Sequence, residues 1–169
     1  MFRLALPCYL SLFLLMQLFG CTADPIIRTL DEVDFENLQG HWVNYHVYEM
    51  GHIFTDVDLN LALKAARAGL LYADFDVVDS DKRQYRVSGN RDATAREVFS
   101  NPVGVSVYLR EAETHVIAKV IYNRHVTQIA GNWEASPVTD IVKNDISEIF
   151  RGMRRFIDEE QVRHRQEAP

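Results

Sequence analysis

Six histidines, two cysteines and an acidic run are the side chains of this 169-residue chain with the chemistry to catalyse or to ligate metal. Their spacing speaks against most of it. The histidines are His41, His46, His52, His115, His125 and His164. None forms an HxxxH or HExxH pair, the spacings that aim two imidazoles at one zinc ion. His46 and His52 share a strand face, but a rise of about 3.3 Å per residue sets them roughly 20 Å apart. A nucleophilic hydrolase needs a serine or cysteine held beside an imidazole. No G-x-S-x-G elbow occurs, and Ser106 with His125 is a pairing that any small sheet offers. Asp74, Asp76, Asp79 and Asp81 are spaced like part of a calcium loop, yet the glycine and distant glutamate that complete one are missing. Gly104 and Gly131 stand alone, so no glycine loop cradles a phosphate. The residue types predict no metal, no cofactor and no catalytic constellation.

Two groups suggest contact surfaces instead. Trp42, Asn44, His46 and Tyr48 mix aromatics with polar side chains on what reads as the outward face of a strand, a composition typical of binding surfaces. The plainer expectation is that this face packs under the N-terminal segment. Arg151, Arg154 and Arg155 come late in the last amphipathic stretch, where cations suit the helix dipole. Glu148, Asp158 and Glu159 lie within helical reach of them, so a solvated charged face is the simpler reading and a headgroup or partner contact the sharper one.

The N-terminus decides where such surfaces would work. Met1 to Arg3 is short and basic, and Leu4 to Phe19 is apolar almost throughout. That run falls short of the ~20 apolar residues of a spanning helix, so residues 1–20 read as a signal peptide that is removed. Leu18-Phe19-Gly20-Cys21 resembles the lipobox of bacterial lipoproteins. The resemblance implies cleavage after Gly20, a diacylglyceryl group on the Cys21 sulfur and acylation of the new amine. Two or three acyl chains then hold the protein to the membrane almost permanently. Thr22 stands where inner-membrane lipoproteins carry aspartate, which implies the outer membrane, facing the periplasm. The alternative is ordinary secretion with cleavage after Ala23, leaving a soluble periplasmic or secreted protein. Cysteine usage fits the first reading: Cys8 leaves with the leader, Cys21 is then alone, and no internal disulfide can form in an oxidising compartment.

The remaining chain has the length of one domain, and 47% of all residues are hydrophobic, enough for a core. Arg3 is the leader's only charge, so the mature chain is one unit more acidic than the −6 of the whole. An acidic exported domain is a poor binder of nucleic acid. Residues 21–40 read as a lipidated tether. Trp42 to Phe54 alternates with period two and predicts a strand, bent or ended at Gly51. Thr55 or Asp56 caps a helix whose core stripe is Leu59, Leu63, Ala66 and Leu70, widened by Leu61, Ala62 and Ala65. Phe75 to Val78, Tyr85 to Val87, Val103 to Leu109 and Val116 to Tyr122 read as strands, and residues 91–102 fit no element clearly. Ser136-Pro137 starts a second helix with the stripe Val142, Ile146, Ile149, Met153 and Phe156, widened by Ile141 and Phe150. Residues 158–169 form a polar tail that frays.

These elements predict an α+β fold for residues 41–157. It is a two-layer sandwich in the order β-α-β-β-β-α, an antiparallel sheet of about four to five strands with two amphipathic helices on one face. The other face is wet or awaits a partner. With the lipobox before it, this layout resembles small bacterial envelope lipoproteins of uncharacterised function, and the compact domains of lipoprotein subunits in outer-membrane assembly machines. The resemblance implies a membrane-anchored, non-catalytic interaction or assembly module with an envelope protein as partner. The alternative is a periplasmic small-ligand-binding protein or hydrolase. Its pocket would lie between helices and sheet, lined by His46, Tyr48, Tyr122 or His125.

Overall fold

The computed structural model describes residues 24–44, 46–91, 102–124 and 135–167. Within them the alternating apolar runs become six strands: β1 (His41–Trp42), β2 (Val47–Thr55), β3 (Asp76–Asp81), β4 (Arg86–Arg91), β5 (Val103–Ala112) and β6 (His115–Arg124). Two helices accompany them, α1 (Leu59–Tyr72) and α2 (Ala135–Glu167). The strands form one antiparallel sheet in the order β1-β2-β6-β5-β4-β3. The α+β class is as expected, but the element order is β-β-α-β-β-β-β-α, and the expected four to five strands become six.

The extra strand comes from the run after Trp42. Asn44 accepts from His46 N at 2.8 Å and Val47 N at 3.0 Å through its Oδ1, and Val43 N donates to Val47 O at 2.9 Å. Side-chain bonds of this kind let a short polar residue turn the chain where period-two patterning alone predicts extension. One long strand is thus folded into the β1–β2 hairpin. Gly51, expected to bend or end the strand, instead pairs with Lys119 in mid-ladder. A Cβ there would lie 2.5 Å from Leu38 Cδ2 and 3.2 Å from Leu38 Cα, so the glycine admits a crossing segment of chain.

Helix α1 is capped by Asp58, whose Oδ1 accepts from Leu61 N at 2.8 Å, rather than by Thr55 or Asp56. β2 runs on through Thr55, and Asp56 takes a left-handed turn with φ 58° before the helix can begin. α1 buries Ala62, Leu63, Ala65, Ala66 and Leu70. It ends with Phe75 N bonded to Leu70 O and Asp74 N to Leu71 O. That closing pattern needs a left-handed residue, supplied by Asp74 at φ 62°. The helix carries the chain from β2, near one edge of the sheet, to β3 at the other.

Helix α2 lies beside α1 over the same face and buries Val142, Ile146, Ile149 and Met153 completely. Of the two residues expected to widen its stripe, Phe150 is buried and Ile141 is 54% exposed. The polar residues after Asp158 continue the helix to Glu167, bridged by Arg155–Glu159 at 2.9 Å and Arg163–Glu160 at 2.8 Å. Pairs at these spacings support helix with no core beneath it.

The main core lies between the helices and one sheet face, where Tyr48, Phe54, Val87, Val105, Val107, Leu109, Val116, Ala118, Val120 and Tyr122 meet α1 and α2. The opposite face is neither wet nor open. Residues 24–40, read from sequence as a tether, cross it: Val33 and Phe35 pack with Val47, Tyr108, Ile117 and Ile121, joined by Ile26, Leu30 and Leu38.

Candidate functional site

Strand alternation sorts the side chains of the sheet between two different environments. On the face under residues 24–40, polar groups fasten the crossing segment. Asn123 Nδ2 donates to Asp24 O at 3.0 Å and Ser106 Oγ to Ile26 O at 2.9 Å. Tyr108 Oη accepts from Arg28 N at 2.7 Å, and Gln84 Oε1 accepts from Leu30 N at 3.1 Å. Glu49, 2% exposed, pairs with Arg28 at 2.7 Å and with the fully buried Lys119 at 3.7 Å. Lys119 also donates to Asn37 O. Burial lowers the Lys119 pKa, and the Glu49 and Asp34 charges oppose that shift. These groups are consumed in holding the chain to itself.

On the helix-covered face, polar chemistry gathers at one end. Tyr48 of β2 and Tyr122 of β6 are directly opposed in register, and Trp42 is paired with Tyr48 across β1 and β2. The three aromatics form a row beneath the first turns of α2. Trp42 Nε1 donates to Thr139 Oγ1 at 3.1 Å, and its ring meets Tyr48 edge-on at 5.1 Å between centroids. Tyr122 Oη donates to Asp145 Oδ2 at 2.6 Å. Arg91, at the end of β4, donates to the same carboxylate oxygen and to Ala73 O at 3.3 Å. Its guanidinium lies 4.5 Å from the centre of the Phe75 ring, and Phe75 stands edge-on to Tyr122 at 6.4 Å.

The two tyrosines are only 1% exposed but differ in what their hydroxyls meet. Tyr122 is bonded; burial, then the Asp145 charge and the bond to it, push its pKa far above that of a free phenol. It keeps its proton and acts as a donor. Tyr48 Oη, also raised by burial, has no hydrogen-bond partner among the described residues. It leans toward Gly40, where an added Cβ would lie 2.1 Å from the oxygen. The tyrosines therefore lean apart, Tyr48 toward the β1 edge and Tyr122 toward Phe75 and Arg91. Together they present a phenolic donor, an unspent hydroxyl and a carboxylate-held guanidinium at one end of an apolar layer. Such a set offers polar contacts beside an apolar layer, and no activated nucleophile stands among the described residues.

The residues singled out from sequence are only partly brought together. Trp42 and Tyr48 meet, but inside the fold, so Tyr48 forms no part of an outward surface. Asn44 spends its side-chain oxygen on the β1–β2 turn. His46 is half-buried in the same turn, and its carbonyl accepts from Arg124 N at 2.9 Å. Arg151 pairs with Glu148 at 2.6 Å and Arg155 with Glu159 at 2.9 Å. Arg154 reaches His52 Nε2 at 3.0 Å and lies 5.5 Å from the centre of the Phe54 ring. These arginines form a solvated face of α2. Cys21 and His125 lie outside the described residues. Ser106 bonds Ser88 Oγ at 3.0 Å beneath the crossing segment, and Asp79 and Asp81 face Arg86 at 2.5 and 3.9 Å. No group of three metal-ligating side chains occurs among the described residues, and no helix among them is long and apolar enough to cross a membrane.

Asp145 and Arg91 were not singled out from sequence. Asp145 had one available signal, an acid on the line of Val142 and Ile149, three residues from one and four from the other. Arg91 had none, since it ends a strand before a stretch with no clear pattern.

No family model matches the sequence, and no curated protein matches it. Among solved structures the fold is similar to Ara h 8.0201, with 14% identity, a TM-score of 0.48, and coverage of 67% of this chain and 99% of that one. It is also similar to the Zhui aromatase/cyclase from Streptomyces sp. R1128, with 9% identity, a TM-score of 0.41, and coverage of 70% and 96%.

Proposed function

We propose that this chain is a lipid-anchored protein of the bacterial envelope whose domain binds a small ligand between α2 and the sheet, at the end marked by Tyr48, Tyr122, Asp145 and Arg91. The single observation that carries the ligand reading is the Tyr48 hydroxyl, buried and without a hydrogen-bond partner among the described residues. A buried hydroxyl without a partner costs ~1–3 kcal/mol, and a ligand's polar group recovers that cost. Trp42 stands edge-on to Tyr48, and the Arg91 guanidinium is fixed at Asp145 beside Tyr122 on the other side of the site, so the ligand has an apolar body and an acceptor group. The anchor is the acylated Cys21 implied by Leu18-Phe19-Gly20-Cys21, and the site of action is the periplasmic side of the outer membrane.

The geometry favours this over an assembly module built on an open sheet. Helices cover one face and residues 24–40 the other. Of the two edges, β1 is two residues long, and β3 presents Asp76, Asp79 and Asp81. Short or charged edges discourage strand pairing with another protein.

The test is to purify the acylated protein from membranes, unfold it, and identify what it releases by mass spectrometry. The expected result is a discrete small amphiphile retained by the wild type and lost in large part from Arg91→Ala and Tyr48→Phe. A folded wild type that releases nothing, and whose tryptophan emission no amphiphile changes, refutes the ligand reading. The mass of the mature N-terminal peptide tests the anchor separately.

A further inference from the structure

We infer that the end of the domain carrying this site rests directly against the bilayer in which Cys21 is anchored. The inference depends on the acylation of Cys21 proposed above. Lipoprotein domains that hang freely need a run of flexible chain between lipid and fold. Here that run is absent. Asp24 is already held: its carbonyl accepts from Asn123 Nδ2 at 3.0 Å, and its backbone lies so close to Gly104 that a Cβ there would sit 2.5 Å away. Three peptide links separate Cys21 from Asp24, a reach of at most about 11 Å at 3.8 Å per link. The headgroup layer itself is about 5–7 Å thick on each side of the bilayer, so the first fixed residue cannot move far beyond it.

Asp24 is held at the site's end of the sheet. Asn123 and Gly104 are register partners, and each is one residue from Tyr122 or Val105, which face α2. A second observation points the same way. Eight large apolar side chains are exposed among the described residues, and Val43, Ile141 and Leu71 lie toward this end. Val43, 49% exposed, is in the β1–β2 turn, and Ile141, 54%, is two residues from Thr139, the partner of Trp42. Leu71, at 56%, closes α1 near Ala73, whose carbonyl Arg91 reaches. Single exposed apolar side chains need no explanation. Their grouping around the point where an acyl anchor must emerge matches a surface that meets lipid. Exposed acids occur at both ends, Asp24, Asp74, Asp76 and Asp140 at this one and Asp56, Asp58, Glu111 and Glu113 at the other, so the apolar grouping and not charge distinguishes them. A ten-residue strand separates the two ends by roughly 30 Å.

The experiment uses the full chain, exported and processed in a diderm host. With Cys21 acylated, Val43→Cys or Ile141→Cys at the near end and Glu113→Cys at the far end each supply one free thiol for a fluorophore. The proteins are reconstituted into vesicles whose headgroups carry a nitroxide quencher. Labels at 43 and 141 are expected to be quenched several-fold more than the label at 113. A flexible Gly/Ser linker of about 20 residues inserted after Ala23 is expected to remove most of that contrast. Equal quenching at both ends, in protein that floats with the vesicles, overturns the orientation and leaves the anchor standing. Contrast that survives the linker overturns the short-spacer argument. Protein that fails to float and whose Cys21 reacts with a thiol reagent overturns the anchor, and the orientation with it.

Discussion

Tyr48→Phe and Tyr122→Phe remove the same atom from two residues that face each other across β2 and β6. The structure requires opposite outcomes. Both rings are 1% exposed, so neither substitution opens a cavity beyond one oxygen. At Tyr48 the lost hydroxyl has no partner among the described residues, and its removal relieves an unmet desolvation cost of ~1–3 kcal/mol. At Tyr122 the lost hydroxyl donates to a carboxylate at 2.6 Å. A hydrogen bond to a charged group contributes ~1.5–3 kcal/mol, and among the described residues Asp145 would keep only Arg91. In ligand-free protein Tyr48→Phe should therefore raise stability by about 1 kcal/mol or more, and Tyr122→Phe should lower it by about 2. For a domain of this size each kcal/mol moves Tm by about 2–4 °C. The assay is urea and thermal unfolding of the exported Cys21→Ala protein, freed of bound molecules by refolding. With ligand restored, the ranking of Tyr48→Phe against wild type should reverse, because the wild type alone recovers its hydroxyl bond. A ligand-free Tyr48→Phe protein less stable than wild type by about 1 kcal/mol would show that the hydroxyl is already bonded. The ligand reading would then lose the observation that carries it.

Three further outcomes follow from the same packing and charges. Glu49→Ala removes the partner of Arg28 and of a fully buried Lys119; stranding a buried charge costs ~3–5 kcal/mol, so urea midpoints should fall steeply, and Lys119→Met in addition should restore part of the loss. Gly104→Ala places a Cβ 2.5 Å from the Asp24 backbone. Overpacking of this kind costs ~1–3 kcal/mol, and hydrogen exchange should show the segment from Asp24 to Arg28 opening while β5 stays protected. The His52 pKa is lowered by burial and then by the Arg154 charge. Below the ordinary value of 6.5 the unfolded chain therefore binds more protons than the folded one. Stability contributed by neutral His52 is present above that value and is lost as pH falls through the lower folded pKa. His52→Gln should flatten this part of the pH–stability curve measured by urea titration, and an unchanged curve would refute the assignment.

Periodicity carried the elements whose stability comes from a single apolar stripe or alternation. The β5–β6 hairpin is extended on both strands by residues of one kind on one face, so its pattern survives any neighbour. The α1 and α2 stripes were legible for the same reason. Trp42 to Phe54 misled because its alternation is equally compatible with one strand or two, and the decision rests on a single side-chain oxygen, Asn44 Oδ1, that adds no hydrophobic signal. The crossing segment was hidden because Leu30, Val33 and Leu38 have neither helical nor strand period. They pack as an irregular chain whose order comes from the sheet beneath it. The site was half legible. Tyr48 and Tyr122 stood out by type, but Arg91 and Asp145 come from distant parts of the chain, and only the antiparallel ladder and the path of α2 bring them to one carboxylate oxygen.

The covering of the second sheet face bears on the short spacer proposed between Cys21 and the fold. Val33, Phe35 and Leu38 on Val47, Ile117 and Ile121 would suffice to keep that face dry. Glu49 and Lys119 add little net stability over apolar residues of similar size. What they add is position. Residues 24–40 lie outside the strand ladders, so no repeating backbone pattern sets where along the sheet they sit. A shift of one residue would leave Lys119 without Asn37 O and Glu49 without Arg28, each a buried charge with a partner lost. That penalty locks the segment in one register from Arg28 to Asn37, and the Asn123 and Gly104 contacts extend the lock to Asp24. A flexible leash needs no such register. With Cys21 acylated as proposed, a chain fixed three residues further on would hold the domain at one height and one angle above the lipid, which would make the segment part of the site's placement rather than a spacer before it.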